Sequence, residues 1–329
     1  MRSTMREIAR KTGYSVATVS RALSGSSKVA PGAKRAILVC ARESGYRAES
    51  RRVAVIVPGS YFGAYYGDVL GCLASELKRY GYSFEILEAA NLDVLEECPF
   101  CGAISAMAQN GLERYWGERH IMPLVCINTQ PRHLDGIYTV GSNDEQGVKL
   151  VVDHLLERGH RRIGRFGGMG SFTDPTNWNS THRERAFRRL LAEHGLETEL
   201  FAYCGGATPT VIEAVKSLLD RGTTAIVTVN EGVELATHHA LRVLSVRVPE
   251  DVALVSWTQP NPAALVTPSI TGLEQDFPRL VEKGCETFRK LLAGEPAEDI
   301  LVDYRLEVRE SSAIALPDRK NRQENPGKD

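Results

Sequence analysis

Residues 4–25, TMREIARKTGYSVATVSRALSG, decide how this chain is read. Thr4 and Glu7 make a T-x-x-E capping box, which satisfies exposed backbone donors and sets a helix start. Met5, Ile8 and Ala9 give that helix one apolar face. Gly13 can enter the left-handed region that ends it, and Ser15 can cap the next helix. In the second helix Val19 and Leu23 point inward at i, i+4, whereas Val16, Ala17, Ser20 and Arg21 fall elsewhere around it. Residues 31–45 supply Ala36, Ile37, Cys40 and Ala41, a third apolar face that closes a small core. Short polar and small residues dominate the second helix, where a purely structural helix favours long helix formers. A three-helix unit of this kind presents one helix to the major groove of DNA.

Charge supports that reading. Residues 1–52 hold 12 Lys/Arg against Glu7, Glu43 and Glu49, a net of +9; the whole chain is −1, so the remainder carries −10. Such segregation marks a nucleic-acid-binding end. The 329 residues exceed one ordinary core and predict two or three domains. No apolar run approaches the ~20 residues of a membrane helix, and the polar, capped N-terminus is no signal peptide. Seven scattered cysteines argue against a disulfide framework and fit a reducing cytoplasm.

From Arg51 onward, strands alternate with amphipathic helices. Residues 53–57 form a continuous apolar run, as in a strand buried on both faces. Tyr66, Val69, Leu70, Leu73, Leu77 and Tyr80 follow helical spacing, and strands are expected at 84–87, 103–105 and 124–127. A helix stripe at Val148, Val151, Val152, Leu155 and Leu156 precedes a strand at 163–166. A second helix–strand series runs from 187 to 255, then a helix through Phe277–Leu291 and one closing strand at 300–308. Alternation of this kind predicts an α/β protein, with parallel sheets covered by helices. The expected organisation is a small all-α headpiece at 1–48, a short linker at 49–52, a two-lobed core at 53–316 and a disordered tail at 317–329.

The segment SVATVSRALSG, followed by a helix ending in ESGY, resembles the headpiece of the LacI family of bacterial transcription regulators. ERGHRRIGRFGG (157–168), RERAFRRLLAEHGL (183–196), AIVTVNEGVELA (225–236), RVPEDVALVSW (247–257) and TPSITGLEQ (267–275) match the family's ligand-binding core in order and spacing. The resemblance extends to about Ser312. It implies a core similar to type I periplasmic sugar-binding proteins, a homodimer, and an effector held between two lobes. It implies a repressor acting on a near-palindromic double-stranded DNA operator, without membrane partner or cofactor.

For DNA, the family pattern places Val16 and Ala17 at the positions that most often choose bases. Both can touch a thymine methyl, and neither can make the bidentate hydrogen bonds that single out guanine or adenine. Polar readout then falls on Arg21, with Ser15 and Thr18; Ser20, Ser24, Lys28 and Thr4 are phosphate candidates. Each hydroxyl has an alternative use in capping. The chain departs from the family after Tyr46, where the proline, the asparagine and the leucine-bearing hinge helix are replaced by RAESRR. A leucine wedge bends DNA, so that bend is not expected here. Arg47, Arg51 and Arg52 are placed to restore phosphate attraction, and the short connection to relay core movement directly to the headpiece.

For the effector, the loop PGSYFGAYYGD (58–68) brings Tyr61 and Tyr65 toward the cleft, where aromatic faces stack on sugar rings. Tyr66 is the one expected to be buried. The resemblance assigns Arg183, Asn230 and Gln275 to the pocket, and Trp178 is a further candidate. Trp257 and Thr258 stand where the family has Phe-Asp; that aspartate binds ligand hydroxyls, so Thr258 leaves the ligand class open, with a sugar or sugar derivative first.

Other motifs are set aside. Cys98-Pro-Phe-Cys101 lacks a second C-x-x-C and leads into a strand, unlike a redox motif, and no metal site is expected. His238-His239 diverge on a helix and read as solvated. Gly167–Ser171 lacks the Gly-Lys-Ser/Thr ending of a phosphate loop. No catalytic arrangement stands out, and an enzyme on a two-lobed scaffold, or a DNA-binding protein with a degenerate core, stand as alternatives.

Overall fold

The computed structural model describes residues 4–46, 50–59, 64–106, 112, 116, 122–130, 136–167, 178–203, 208–228 and 233–316. At the N-terminus, helix α1 (Met5–Thr12) begins at the expected capping box, with the Thr4 N–H donating to Glu7 at 2.8 Å. It ends at Gly13, φ 76°. Ser15 caps α2 (Val16–Leu23) by accepting the Thr18 N–H at 3.1 Å. Helix α3 (Pro31–Glu43) opens on a proline, whose missing N–H would have had no intrahelical partner. Ile8, Val19, Ala22, Ile37, Leu38 and Ala41 form the shared core. Met5 and Ala36, expected in this core, are exposed instead, while Ala22 and Leu38 belong to it.

The chain folds as two compact units: residues 1–142 with 277–302, and residues 143–276 with 303–329. The headpiece therefore belongs with the first lobe. That lobe contains β1 (Arg52–Val57), α4 (Ala64–Arg79), β2 (Ser83–Glu88), α5 (Val94–Glu97), β3 (Gly102–Ala106), β4 (Leu124–Ile127), β5 (Ile137–Ser142), α11 (Phe277–Ala293) and β11 (Ile300–Val302). Its six strands are parallel, in the order β11-β5-β4-β3-β1-β2. Strands β3 and β4 are buried along their whole length, which is why their sequence shows an apolar run and not alternation. Phe277, Leu280, Val281, Gly284, Cys285 and Phe288, at helical spacing, line the face α11 turns to the core. Its approach is close: a Cβ on Gly284 would stand 2.5 Å from Ile127, and one on Gly102 2.5 Å from Phe288. Strand β5 is absent from the sequence-based expectations because Gly141 and Ser142 interrupt its apolar pattern; the glycine lies against the Thr129 carbonyl, where no Cβ fits.

The second lobe contains α6 (Asp144–Glu157), β6 (Ile163–Gly167), α7 (Trp178–Glu193), β7 (Phe201–Tyr203), α8 (Thr208–Asp220), β8 (Ala225–Thr228), α9 (Glu234–Val243), β9 (Ala253–Trp257), α10 (Pro260–Ala264), β10 (Thr271–Glu274) and β12 (Arg305–Glu307). Its sheet runs β12-β10-β9-β8-β6-β7, with β12 antiparallel to β10 and the other pairings parallel. The order repeats that of the first lobe, and only the direction of the edge strand differs. The single closing strand expected at 300–308 is two strands in two sheets. Between them, Asn143 donates to Asp303 at 2.8 Å and the Tyr304 N–H donates to Gln146 at 2.9 Å, which takes this backbone out of the first sheet. Among the described residues no helix is long and apolar enough to cross a membrane.

Candidate functional site

Two regions gather the chemistry. On the headpiece, Val16, Ala17, Ser20 and Arg21 all lie exposed along α2, with Val16 at 45%. The Ser15 hydroxyl is shared with Thr18 Oγ1 at 2.9 Å besides capping the helix, and Ser24 Oγ donates to the Arg21 carbonyl at 3.0 Å. Thr4 caps α1. These hydroxyls hold helix ends in position while remaining at the surface; Thr18 alone is half-buried. Lys28 is exposed in the turn before α3. The result is a small, basic unit with a short-side-chain face available to a groove and one guanidinium, Arg21, in its last turn. Arg52, expected as a phosphate contact, is instead held by the lobe: it pairs with Glu85 and its guanidinium lies 5.4 Å from the Phe100 ring centre.

In the second lobe, Arg183 on α7 donates from Nε to Asp144 Oδ1 at 2.9 Å and from Nη2 to the Tyr304 hydroxyl at 3.0 Å. Tyr304 in turn donates to Asp144 at 2.8 Å. Burial, first of all, raises the Tyr304 pKa, with Asp144 adding to the rise, so the phenol keeps its proton. The Arg183 guanidinium lies 5.5 Å from the Trp257 ring centre. Trp257 is 1% exposed and packs edge-on against Phe187 and Tyr304, a core position behind the arginine. Thr258 follows directly and is buried; its hydroxyl reaches the Gln259 carbonyl at 3.2 Å and the buried Glu234 carboxylate at 3.4 Å. Gln275, half-buried, follows β10. Thr258 and Gln275 thus stand just beyond the carboxyl ends of β9 and β10, where open α/β sheets bind ligands. Tyr61 and Asn230 lie outside the described residues, as do the side chains of Tyr65 and Trp178.

Asp144, Tyr304 and Glu234 were not read from the sequence as part of this group. Asp144 follows a capping Asn143 and looks like an ordinary first-turn acid. Tyr304 comes from a segment 121 positions beyond Arg183, and nothing in its local pattern marks it. Tyr66 is half-buried, not fully enclosed. Of the set-aside motifs, the His pair expected to be solvated is split: His238 is buried, whereas His239, about 100° further round α9, is exposed. Cys101 donates to the Arg52 carbonyl at 3.3 Å, and burial pushes its thiol up to about 11, far from a reactive thiolate.

A capped helix-turn-helix on a two-lobed α/β core defines a DNA-binding regulator with a ligand-binding body. The comparisons agree. Residues 4–49 match the model of bacterial regulatory proteins of the lacI family, and residues 152–312 match the periplasmic binding protein-like domain. The chain belongs to the LacI family of transcription regulators. It is 24% identical to the HTH-type transcriptional regulator AscG of Escherichia coli (strain K12), over 85% of this chain and 89% of that one. It is 25% identical to the HTH-type transcriptional repressor PurR of Edwardsiella ictaluri (strain 93-146), over 94% and 97%. In fold it is similar to the transcriptional regulator CelR in complex with cellobiose (TM-score 0.68, 23% identity, 94% and 100% covered). It is also similar to the lac repressor dimer bound to operator and an anti-inducer (TM-score 0.71, 17% identity, 95% and 99% covered). These relatives are regulators, not enzymes.

Proposed function

We propose that this regulator is a cytoplasmic, homodimeric repressor that binds a near-palindromic operator through two headpieces and responds to a neutral sugar or sugar derivative. The observation that carries the DNA half is the exposed face of α2, bearing Val16, Ala17, Ser20 and Arg21 on a segment of net charge +9. On the effector side, Arg183 comes already paired with Asp144. A compensated guanidinium–carboxylate pair offers donors and acceptors to hydroxyl groups without the uncompensated charge that would select an anion. The cellobiose complex of a protein of similar fold supports the same class.

The test is selection of bound sites by the full-length protein from random duplex DNA at near-physiological salt. An enriched inverted repeat is the expected result; salt-sensitive binding without sequence enrichment would overturn the operator reading. Arg21→Ala should weaken specific binding by about 1–3 kcal/mol, as for a typical base contact, and leave nonspecific binding nearly unchanged. Effector class is tested by thermal stabilisation across a panel of neutral and anionic sugars. Stabilisation by neutral members supports the proposal. None from any member points to a core without an effector, and turnover of a ligand points to an enzyme.

A further inference from the structure

The headpiece does not hang free from the first lobe. Strand β1 begins at Arg52, so residues 47–51 are all that separate Tyr46 from the sheet. Yet α3 reaches back to one short stretch of the lobe, residues 95–100. Arg35 pairs with Glu96, whose side chain is 9% exposed. Arg42 donates from Nη2 to the Leu95 carbonyl and, at 3.1 Å, to the Cys98 carbonyl, placing a cation on acceptors at the carboxyl end of α5. Gly25, in the turn after α2, comes so near Pro99 that a Cβ would stand 3.3 Å from its ring. Ser50 donates to the Pro99 carbonyl.

Arg42, Ser50 and Pro99 also border a cavity of about 930 Å³, lined from the headpiece by Leu23, Leu38 and Tyr46 and from the lobe by Phe100, Trp116 and Tyr138. The headpiece and the lobe thus leave open space between their apolar side chains, and the polar contacts of Arg35, Arg42 and Ser50 tie the two together beside it. The α2 face stays exposed in this arrangement. Directly after the gripped stretch comes β3, fully buried at the middle of the sheet. We infer that residues 95–100 are a cradle for α3 which takes the place of a hinge helix: it orients the headpiece on its lobe and passes lobe movement to the DNA-binding face. This rests on the DNA-binding reading above.

The experiment uses full-length protein with Arg35→Glu, Glu96→Arg, the two combined, and, as milder changes, Glu96→Gln and Arg42→Ala. One readout is the rate at which trypsin releases the headpiece by cleaving after Arg47. The other is affinity for the enriched DNA site. Either single reversal should speed release about fivefold and weaken specific binding about tenfold, and the combined swap should restore both. Simple electrostatics predicts otherwise: added positive charge at 96 would tighten DNA binding. Should Glu96→Arg fail to fold, Glu96→Gln and Arg42→Ala carry the same two expectations at smaller size. Unchanged release in the folded variants would overturn the cradle, and faster release with unchanged DNA affinity would overturn its coupling role. If the wild type enriches no site, the DNA reading fails by itself, and the coupling role falls with it.

Discussion

The first lobe buries mostly aliphatic side chains and neutral polar groups; among its described residues Glu96 is the buried carboxylate, and it serves the headpiece. The second lobe, on the same strand order, buries Asp144, His154, His160, Arg165, Glu184, Glu234, His238 and Glu274. Arg165 is the extreme case. It sits wholly enclosed in β6, forks onto Glu184 at 2.8 and 3.1 Å and donates to the Thr198 carbonyl at 2.8 Å. Glu274 is held by Arg305 and Arg309. The difference teaches that topology tolerates either interior, provided each buried charge has its partner.

The comparison breaks most readily at Arg165. Arg165→Ala leaves Glu184 buried with Arg188 as its one remaining cation among the described residues and should cost about 3–5 kcal/mol in urea unfolding. Arg165→Met combined with Glu184→Leu should recover most of that loss; a loss below about 1 kcal/mol for the single change would mean the charged interior is incidental. The first lobe should instead fail by crowding. Gly284→Val drives methyl groups into Ile127 and should cost roughly 1–3 kcal/mol in the same assay.

Acid should separate the lobes next. Burial is the main cause that lowers His154 and His160 from 6.5 to about 4. Their native forms bind fewer protons than the unfolded chain, so their contribution is complete above about pH 6.5 and is lost as pH falls toward 4. At pH 5 the second lobe should be weaker by roughly 1–2 kcal/mol per histidine, measured as a pH-dependent unfolding midpoint that flattens in His154→Asn. The smallest effect belongs to the headpiece. Ser15→Ala removes a cap worth about 1 kcal/mol, seen as faster hydrogen exchange along α2.

Local chemistry explains which parts were legible. Capping residues act within four positions, so the starts of α1 and α2 could be read directly from Thr4, Glu7 and Ser15. Parallel strands show as apolar runs, and most were placed, whereas β5, diluted by Gly141 and Ser142, and β10, with Thr271, Gly272 and Glu274 among its four residues, were not. The split of residues 300–308 between two sheets escaped because it depends on Gln146 and Asn143, some 160 positions away.

By itself the sequence determined the helix-turn-helix, the alternation of strands and helices, the family and the residues on the outer face of α2, because periodicity, capping and charge act locally. Tertiary structure alone decided that Arg183 is countered by Asp144 under Tyr304. It also decided that Trp257 belongs to the core, that Arg52 belongs to the lobe, and that Arg35 and Arg42 fasten the headpiece to residues 95–100. An arginine looks the same in a sequence whether it faces phosphate, ligand or a carboxylate of its own fold. Only the folded chain brings the partner within reach.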